Sequence, residues 1–276
     1  MNIEVLEKIG LKALRSAYMI HEELGAKGEE LVEKNRFGDM SLVCDIEAEK
    51  AVIDVFRDEN VPIKIISEEH GIVIIGDNPK YLAVLDGIDG SAVYKKLRSK
   101  GRYGTMLGIF SNIDPIYDDY LFSGVMEHAT NKLFYATKNS GAFVVKDNIL
   151  TQIHSLLKNK IDTNSKIYID EYFDINKEVF SSKLKEYNTL CLCSSCVYYV
   201  DVSSGEAILA LECTRKNNLE IAVAYGLIIE SGGVMMSTDK IGLGKRKYYE
   251  FGQDSNIPVV TASSEQLAFN LIDCIK

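Results

Sequence analysis

Residues 81–94 read YLAVLDGIDGSAVY. The apolar run YLAVL (81–85) predicts a buried strand. It ends in Asp86-Gly87-Ile88-Asp89-Gly90-Ser91, a glycine-containing turn that lets two carboxylates converge on one point. Like charges so close repel, and one stays protonated unless a cation intervenes. Hard oxygen ligands suit Mg²⁺ or Mn²⁺. A solvated acidic turn, with Asp-Gly supplying only turn chemistry, reads the same way at this point.

Outward from this segment, short apolar runs predict strands at 63–66, 72–75, 105–110, 120–127, 132–136 and 142–145. Helical periodicity covers residues 3–24 and 45–59, with a polar loop expected over 29–39. The polar stretch 151–165 is the best place for a subdomain boundary. Beyond it, strands are expected at 166–169, 189–193, 206–211, 234–237 and 258–262. They alternate with helices at 177–187, 195–202, 219–231 and a last one capped by Ser263. Consecutive strands followed by alternation predict a mixed α/β (α+β) protein with two sheets in one unit.

The chain has 276 residues and a formal charge of −9. That size buries a core without disulfides or metals, and 46% hydrophobic residues exclude wholesale disorder. The acidic balance speaks against a general nucleic-acid or acidic-membrane binder, though not against a small anion in a locally positive site. No signal peptide or membrane span is expected, and the six cysteines read as reduced thiols in a cytoplasmic protein.

Three more acidic segments bear on the Asp86–Asp89 turn. Ser67-Glu68-Glu69 follows the strand IKII; Ser41 and Asp45 open the second helix; Leu219-Glu220 opens another. Each is singly explained as a turn or helix-start acid. Gly90-Ser91 also begins a helical turn, where backbone amides suit an anion. Carboxylates for cations beside amides for an anion describe a site for a metal-bridged phosphate.

These segments resemble the inositol monophosphatase family of Mg²⁺-dependent, lithium-sensitive phosphatases. SEE resembles its Gly-Glu-Glu, DGIDGS its Asp-Pro-Ile-Asp-Gly-Thr, and LEIAVAYGLIIESGG its Trp-Asp-x-Ala…Glu-Ala-Gly-Gly. SGVMEHATNKLFYATKNSGAF, CSSCVYYVDVSSGEAI and PVVTASSEQL match further stretches in order. The pattern is closest to archaeal inositol monophosphatase/fructose-1,6-bisphosphatases. The resemblance implies a layered αβαβα sandwich, with two mixed sheets and helices between and outside, commonly a homodimer. It also implies two or three Mg²⁺ per site, with Mn²⁺ possible. Carried over, Glu68, Asp86 and the Ile88 carbonyl hold the first metal; Asp86, Asp89 and Glu220 hold the second. Asp45, Ser91 and Glu68 flank a metal-activated water, the Gly90 and Ser91 amides bind phosphate, and Ser194 and Ser195 lie on the substrate side. Residues 1–150 would then carry most metal ligands, and 151–276 would carry Glu220 and the substrate-side residues.

The departures are specific. Gly87 replaces proline, which predicts a looser turn; Ser91 replaces threonine; Leu219-Glu220 replaces Trp-Asp; Ser194-Ser195 replaces Gly-Ser. A basic run follows the phosphate motif (Lys95, Lys96, Arg98, Lys100, Arg102), and reads as a contact for a second phosphate, as a mobile loop gating the site, or as a solvated face. Lys245-Arg246-Lys247, His70 and Cys191-x-Cys193-x-x-Cys196 read as surface charge, an exposed turn histidine and buried thiols. The expected activity is hydrolysis of a small sugar or inositol phosphate, with inositol monophosphate or fructose 1,6-bisphosphate as substrate. The alternatives are a 3′-nucleotide phosphatase and a catalytically weak phosphometabolite-binding protein.

Overall fold

The computed structural model describes the chain except residues 163, 172, 173 and 254, and except the side chains of 99, 174, 175, 178, 179 and 181. In chain order the helices are α1 (Ile3–Leu24), α2 (Val43–Asp58), α3 (Ser91–Leu97), α4 (Asp174–Leu184), α5 (Ser195–Ser203), α6 (Leu219–Glu230) and α7 (Glu265–Ile275). The strands of the first half are β1 (Leu31–Lys34), β2 (Met40–Leu42), β3 (Ile63–Ser67), β4 (Gly71–Ile75), β5 (Tyr81–Asp89), β6 (Gly104–Phe110), β7 (Tyr120–Glu127), β8 (Lys132–Thr137), β9 (Gly141–Lys146) and β10 (Ile149–Ile153). Those of the second half are β11 (Ile167–Ile169), β12 (Thr189–Leu190), β13 (Leu209–Cys213), β14 (Val234–Ser237) and β15 (Pro258–Ala262).

Two mixed sheets organise the chain. The larger runs β10-β9-β8-β7-β6-β5-β3-β4, and only its β3–β5 pair is parallel. The smaller runs β12-β11-β13-β15-β14, parallel on its β12-β11-β13 side. Every residue of β5 is buried, as expected of a strand covered on both faces. One face packs on the apolar stripes of α1 and α2 through Leu6, Ala13, Val52 and Phe56. The other packs on α5 and α6, whose residues are buried on nearly all sides because the second sheet closes over them. α4 and α7 cover the far face of that sheet. The order helix, sheet, helix, sheet, helix is the αβαβα sandwich the resemblance implies.

Several expectations shift. The loop 29–39 carries part of a hairpin, β1–β2, whose four-residue first strand is exposed along its length. The strand expected over 189–193 stops at Leu190, and Cys193 adopts φ +55°, which ends extended structure. The strand expected at 206–211 lies at 209–213, and the helix expected at 177–187 begins at 174. Ser264, not Ser263, caps α7, its hydroxyl accepting the Leu267 amide at 3.3 Å.

Candidate active site

The parallel pairing of β3 with β5 sets the site. The register Ser67↔Leu85 brings Glu68, just past β3, beside Asp86. The β5–β6 ladder shifts between Asp86↔Met106 and Asp89↔Gly104, and this bulge carries Gly87 and Ile88. Thr105 holds it by donating to the Gly87 carbonyl at 2.6 Å. The looser turn expected at Gly87 is replaced by close packing: an added Cβ would overlap the Asp45 carbonyl oxygen at the start of α2. Gly90, at φ +85°, turns the chain into α3, and a Cβ there would lie 2.8 Å from Ser194.

Glu220, in the first turn of α6, completes a group. Ligand atoms of Asp86, Asp89 and Glu220, all buried, lie within 4.8 Å of one another. Among the described residues no other His, Cys, Asp and Glu side chains cluster this way. Asp89 is oriented from the second half of the chain. Its Oδ2 accepts the Cys196 amide at 2.7 Å and the Ser194 hydroxyl at 2.8 Å. Asp45 uses Oδ2 to accept the Leu42 amide at 2.9 Å, while its buried Oδ1 has no hydrogen-bond partner.

Burial raises the carboxyls of Asp45, Asp86 and Asp89 above their ordinary range, and neighbouring carboxylates push the same way. Glu68 is pushed up to about 7, because burial outweighs the nearby Lys216 ammonium. This donor chemistry fits a divalent cation: hard oxygens, buried together, mutually repelling.

All ten residues singled out in the sequence line one cavity of about 340 Å³: Asp45, Glu68, Asp86, Ile88, Asp89, Gly90, Ser91, Ser194, Ser195 and Glu220. Other residues had not been singled out. Glu49, wholly buried on α2, accepts the amides of Glu68, Glu69 and His70 at 3.0, 3.0 and 3.1 Å, and the Ser67 hydroxyl. It also meets His70 Nδ1 at 3.0 Å, so that ring belongs to the support of the turn. Glu49 stands one helical turn after Asp45 on α2, a spacing that marks a shared face. Arg215 and Lys216 enter from the loop before α6. Arg215 Nη1 lies 3.6 Å from Glu220 Oε1, and Lys216 Nζ lies 2.8 Å from Glu68 Oε1. Both also line a second cavity of about 290 Å³. The basic pair just ahead of Leu219-Glu220 was the available signal.

Of the basic run, Lys95 lines the main cavity. Arg98 pairs with Glu29 at 3.1 Å, and Arg102 with Glu127 at 2.5 Å and Asp201 at 2.8 Å. Lys245 and Lys247 pair with Asp118 at 3.0 Å and Asp114 at 3.1 Å, and Arg246 pairs with Asp239. The six cysteines are free; Cys196 is buried, while Cys191 and Cys193 are half-buried.

Residues 2–266 match the model of the inositol monophosphatase family. The chain belongs to the inositol monophosphatase family. The family is one of metal-dependent phosphatases acting on small phosphorylated substrates, and the chain is a hydrolase of phosphate monoesters. It is 25% identical over 228 residues to a fructose-1,6-bisphosphatase/inositol-1-monophosphatase of Methanothermobacter thermautotrophicus, covering 77% of this chain and 76% of that protein. It is 30% identical over 144 residues to the bifunctional NADP phosphatase/NAD kinase of Methanocaldococcus jannaschii, covering 44% of this chain and 25% of that one. Among solved structures, the Thermotoga maritima IMPase superposes with a TM-score of 0.76 at 18% identity, covering 97% of this chain and 95% of that chain. That likeness concerns the fold.

Proposed function

We propose that this chain is a Mg²⁺-dependent phosphomonoesterase for a small sugar or inositol phosphate, with inositol monophosphate and fructose 1,6-bisphosphate as leading substrates. The convergence of Asp86, Asp89 and Glu220 within 4.8 Å, in a cavity the size of a small metabolite, carries the reading. The match to an archaeal fructose-1,6-bisphosphatase/inositol-1-monophosphatase supports the substrate class.

Asp86, Asp89 and Glu220 would hold one cation, and Glu68, Asp86 and the Ile88 carbonyl are candidates for another. A divalent metal held there would supply positive charge for a leaving oxygen and would lower the pKa of a water beside it. The protein does the rest. Asp45 presents its unpartnered Oδ1 to that water, and Ser91 offers a hydroxyl to orient it. Glu68, lining the same cavity, takes its proton. The Gly90 and Ser91 amides, opening α3 beside the cavity, take phosphate oxygens. Ser194 and Ser195 face the alcohol part of the substrate. Ligands come from both sides of the proposed division into residues 1–150 and 151–276, so the two parts act as one catalytic unit.

A nucleotide substrate is the second reading, favoured by the match to the NADP phosphatase/NAD kinase. The proposal extends to a cytoplasmic homodimer without nucleic-acid or membrane partners. No helix among the described residues is long and apolar enough to cross a membrane. Phosphate release from inositol 1-phosphate, fructose 1,6-bisphosphate, 3′-phosphoadenosine 5′-phosphate and NADP, each with Mg²⁺ or Mn²⁺, tests the reading. Preference for either of the first two supports it. Preference for a nucleotide moves the assignment to the second reading, and no metal-dependent release from any of them contradicts both.

A further inference from the structure

The loop ahead of α6 brings two positive charges into a cluster of buried carboxylates. Lys216 Nζ lies 2.8 Å from Glu68 Oε1 and 2.6 Å from Asp39 Oδ2, on the hairpin connection between β1 and β2. Its side chain is only 20% exposed. The backbone that delivers it is unusual. Lys216, Asn217 and Asn218 adopt φ of +44°, +61° and +55°, three consecutive left-handed residues, none of them glycine. Such a conformation costs free energy at each residue and persists where surrounding contacts fix it. Those contacts are present. The Asn218 side chain accepts the Arg215 amide at 3.0 Å and donates to the Phe251 carbonyl, while Gln253 donates to the Asn217 carbonyl at 3.4 Å. The loop is thus fastened, and the ammonium is aimed at Glu68 rather than at solvent.

An ammonium in hydrogen-bonding contact with a buried carboxylate does part of what a divalent cation does there. It neutralises charge at the position where a metal would otherwise sit. We propose that Lys216 is a tethered cation that takes the Glu68 arm of the carboxylate cluster, so that this chain binds one divalent ion fewer than its carboxylates would otherwise hold. The inference rests on the phosphatase reading of the same site. Divalent metal is then confined to the Asp86–Asp89–Glu220 group, and the Lys216 ammonium takes the place of the second cation for which Glu68, Asp86 and the Ile88 carbonyl are candidates. Because Asp39 shares the ammonium, the same contact ties the β1–β2 hairpin to the site.

The test counts bound Mn²⁺ by calorimetry and by electron paramagnetic resonance, in the full-length wild type, Lys216→Gln and Lys216→Gln/Glu68→Gln. Lys216→Gln should bind one more ion than wild type, and the double variant should return to the wild-type count. Equal counts in wild type and Lys216→Gln overturn the proposal, as does an added ion that survives the Glu68 change. Lys216→Arg keeps the charge and should count as wild type. A wild-type measurement guards against a variant that fails to fold: the Lys216 side-chain amine signal should keep its ion-paired shift at saturating Mg²⁺, and its release to a solvent-like shift overturns the proposal. Phosphate release by the wild type is scored separately. Activity with equal ion counts sinks the Lys216 role and leaves the phosphatase reading standing; an added ion without activity does the reverse.

Discussion

Asp89, at the end of β5, accepts the Cys196 amide at the start of α5 at 2.7 Å, although the two residues are 107 positions apart in sequence. The first sheet and the helical layer behind it are joined at one of the three carboxylates that converge in the cavity. The Ser194 hydroxyl, 2.8 Å from the same oxygen, completes the grip. Ser194→Ala removes one of the two donors and leaves the backbone one. Partners that orient a metal-binding carboxylate contribute about 10–100-fold to metal affinity or activity. The variant should therefore bind Mn²⁺ about tenfold more weakly with an unchanged unfolding midpoint. An unchanged affinity would remove Ser194 from the site.

Glu49 organises the turn that presents Glu68. Its carboxylate collects three backbone amides, a hydroxyl and the His70 ring while wholly buried. Glu49→Ala takes the acceptor from the Glu69 amide and the Ser67 hydroxyl, while the Glu68 and His70 amides keep the Leu85 carbonyl and the Ser67 oxygen; each buried unpaired group costs about 1–3 kcal/mol. The expected loss is about 3 kcal/mol or more in urea unfolding, together with lower activity. A loss under about 1 kcal/mol would show that water replaces the carboxylate.

Gly87 is demanded by proximity rather than by flexibility. Its Cα faces the Asp45 carbonyl, and any side chain overlaps that backbone atom. Gly87→Ala should shift the start of α2, destabilise the fold by about 1–3 kcal/mol and lower turnover. Crystals of the variant should show Asp45 displaced from the cavity. Wild-type stability and turnover would mean that the strand and helix separate freely.

His128 is buried against His21, with ring centroids 4.4 Å apart, and its Nε2 meets Thr105 at 2.9 Å. Burial, with the neighbouring His21, lowers its pKa well below 6.5, so the folded state holds it neutral. The unfolded chain binds the proton more readily. This contribution is full above pH 6.5 and is lost as pH falls toward the depressed folded value. The stability gap between wild type and His128→Gln should narrow below pH 6.5 by up to about 1.4 kcal/mol per pH unit. A gap constant from pH 7.5 to 5.5, within experimental error, would contradict the buried neutral ring.

The site was legible where each residue ends a patterned segment. Asp86 and Asp89 follow an apolar run, Glu68 follows another, and Glu220 opens a helix, so periodicity alone places them at element ends. The layers followed from strand runs giving way to alternation. What escaped depends on tertiary geometry. Lys216 stands 148 positions from Glu68, and it reaches that carboxylate only because three residues adopt left-handed backbone, which no local pattern announces. The β1–β2 hairpin lacks alternation because its first strand is exposed throughout. The predicted strand through Cys193 failed because the chain must turn there to aim Ser194 at Asp89. The cap of α7 was misplaced by one residue because two adjacent serines are chemically equivalent in sequence and differ only in where the backbone points them.

The most direct measurement is Mg²⁺-dependent phosphate release from inositol 1-phosphate and fructose 1,6-bisphosphate by wild type and Asp89→Asn. Asparagine keeps the acceptor for the Cys196 amide and loses the charge that would face the metal. Wild type should show turnover that vanishes with chelator, and Asp89→Asn should lose at least about 100-fold with an unchanged circular dichroism spectrum. Wild-type turnover in the folded variant would contradict the assignment of the Asp86–Asp89–Glu220 cluster as the catalytic metal site.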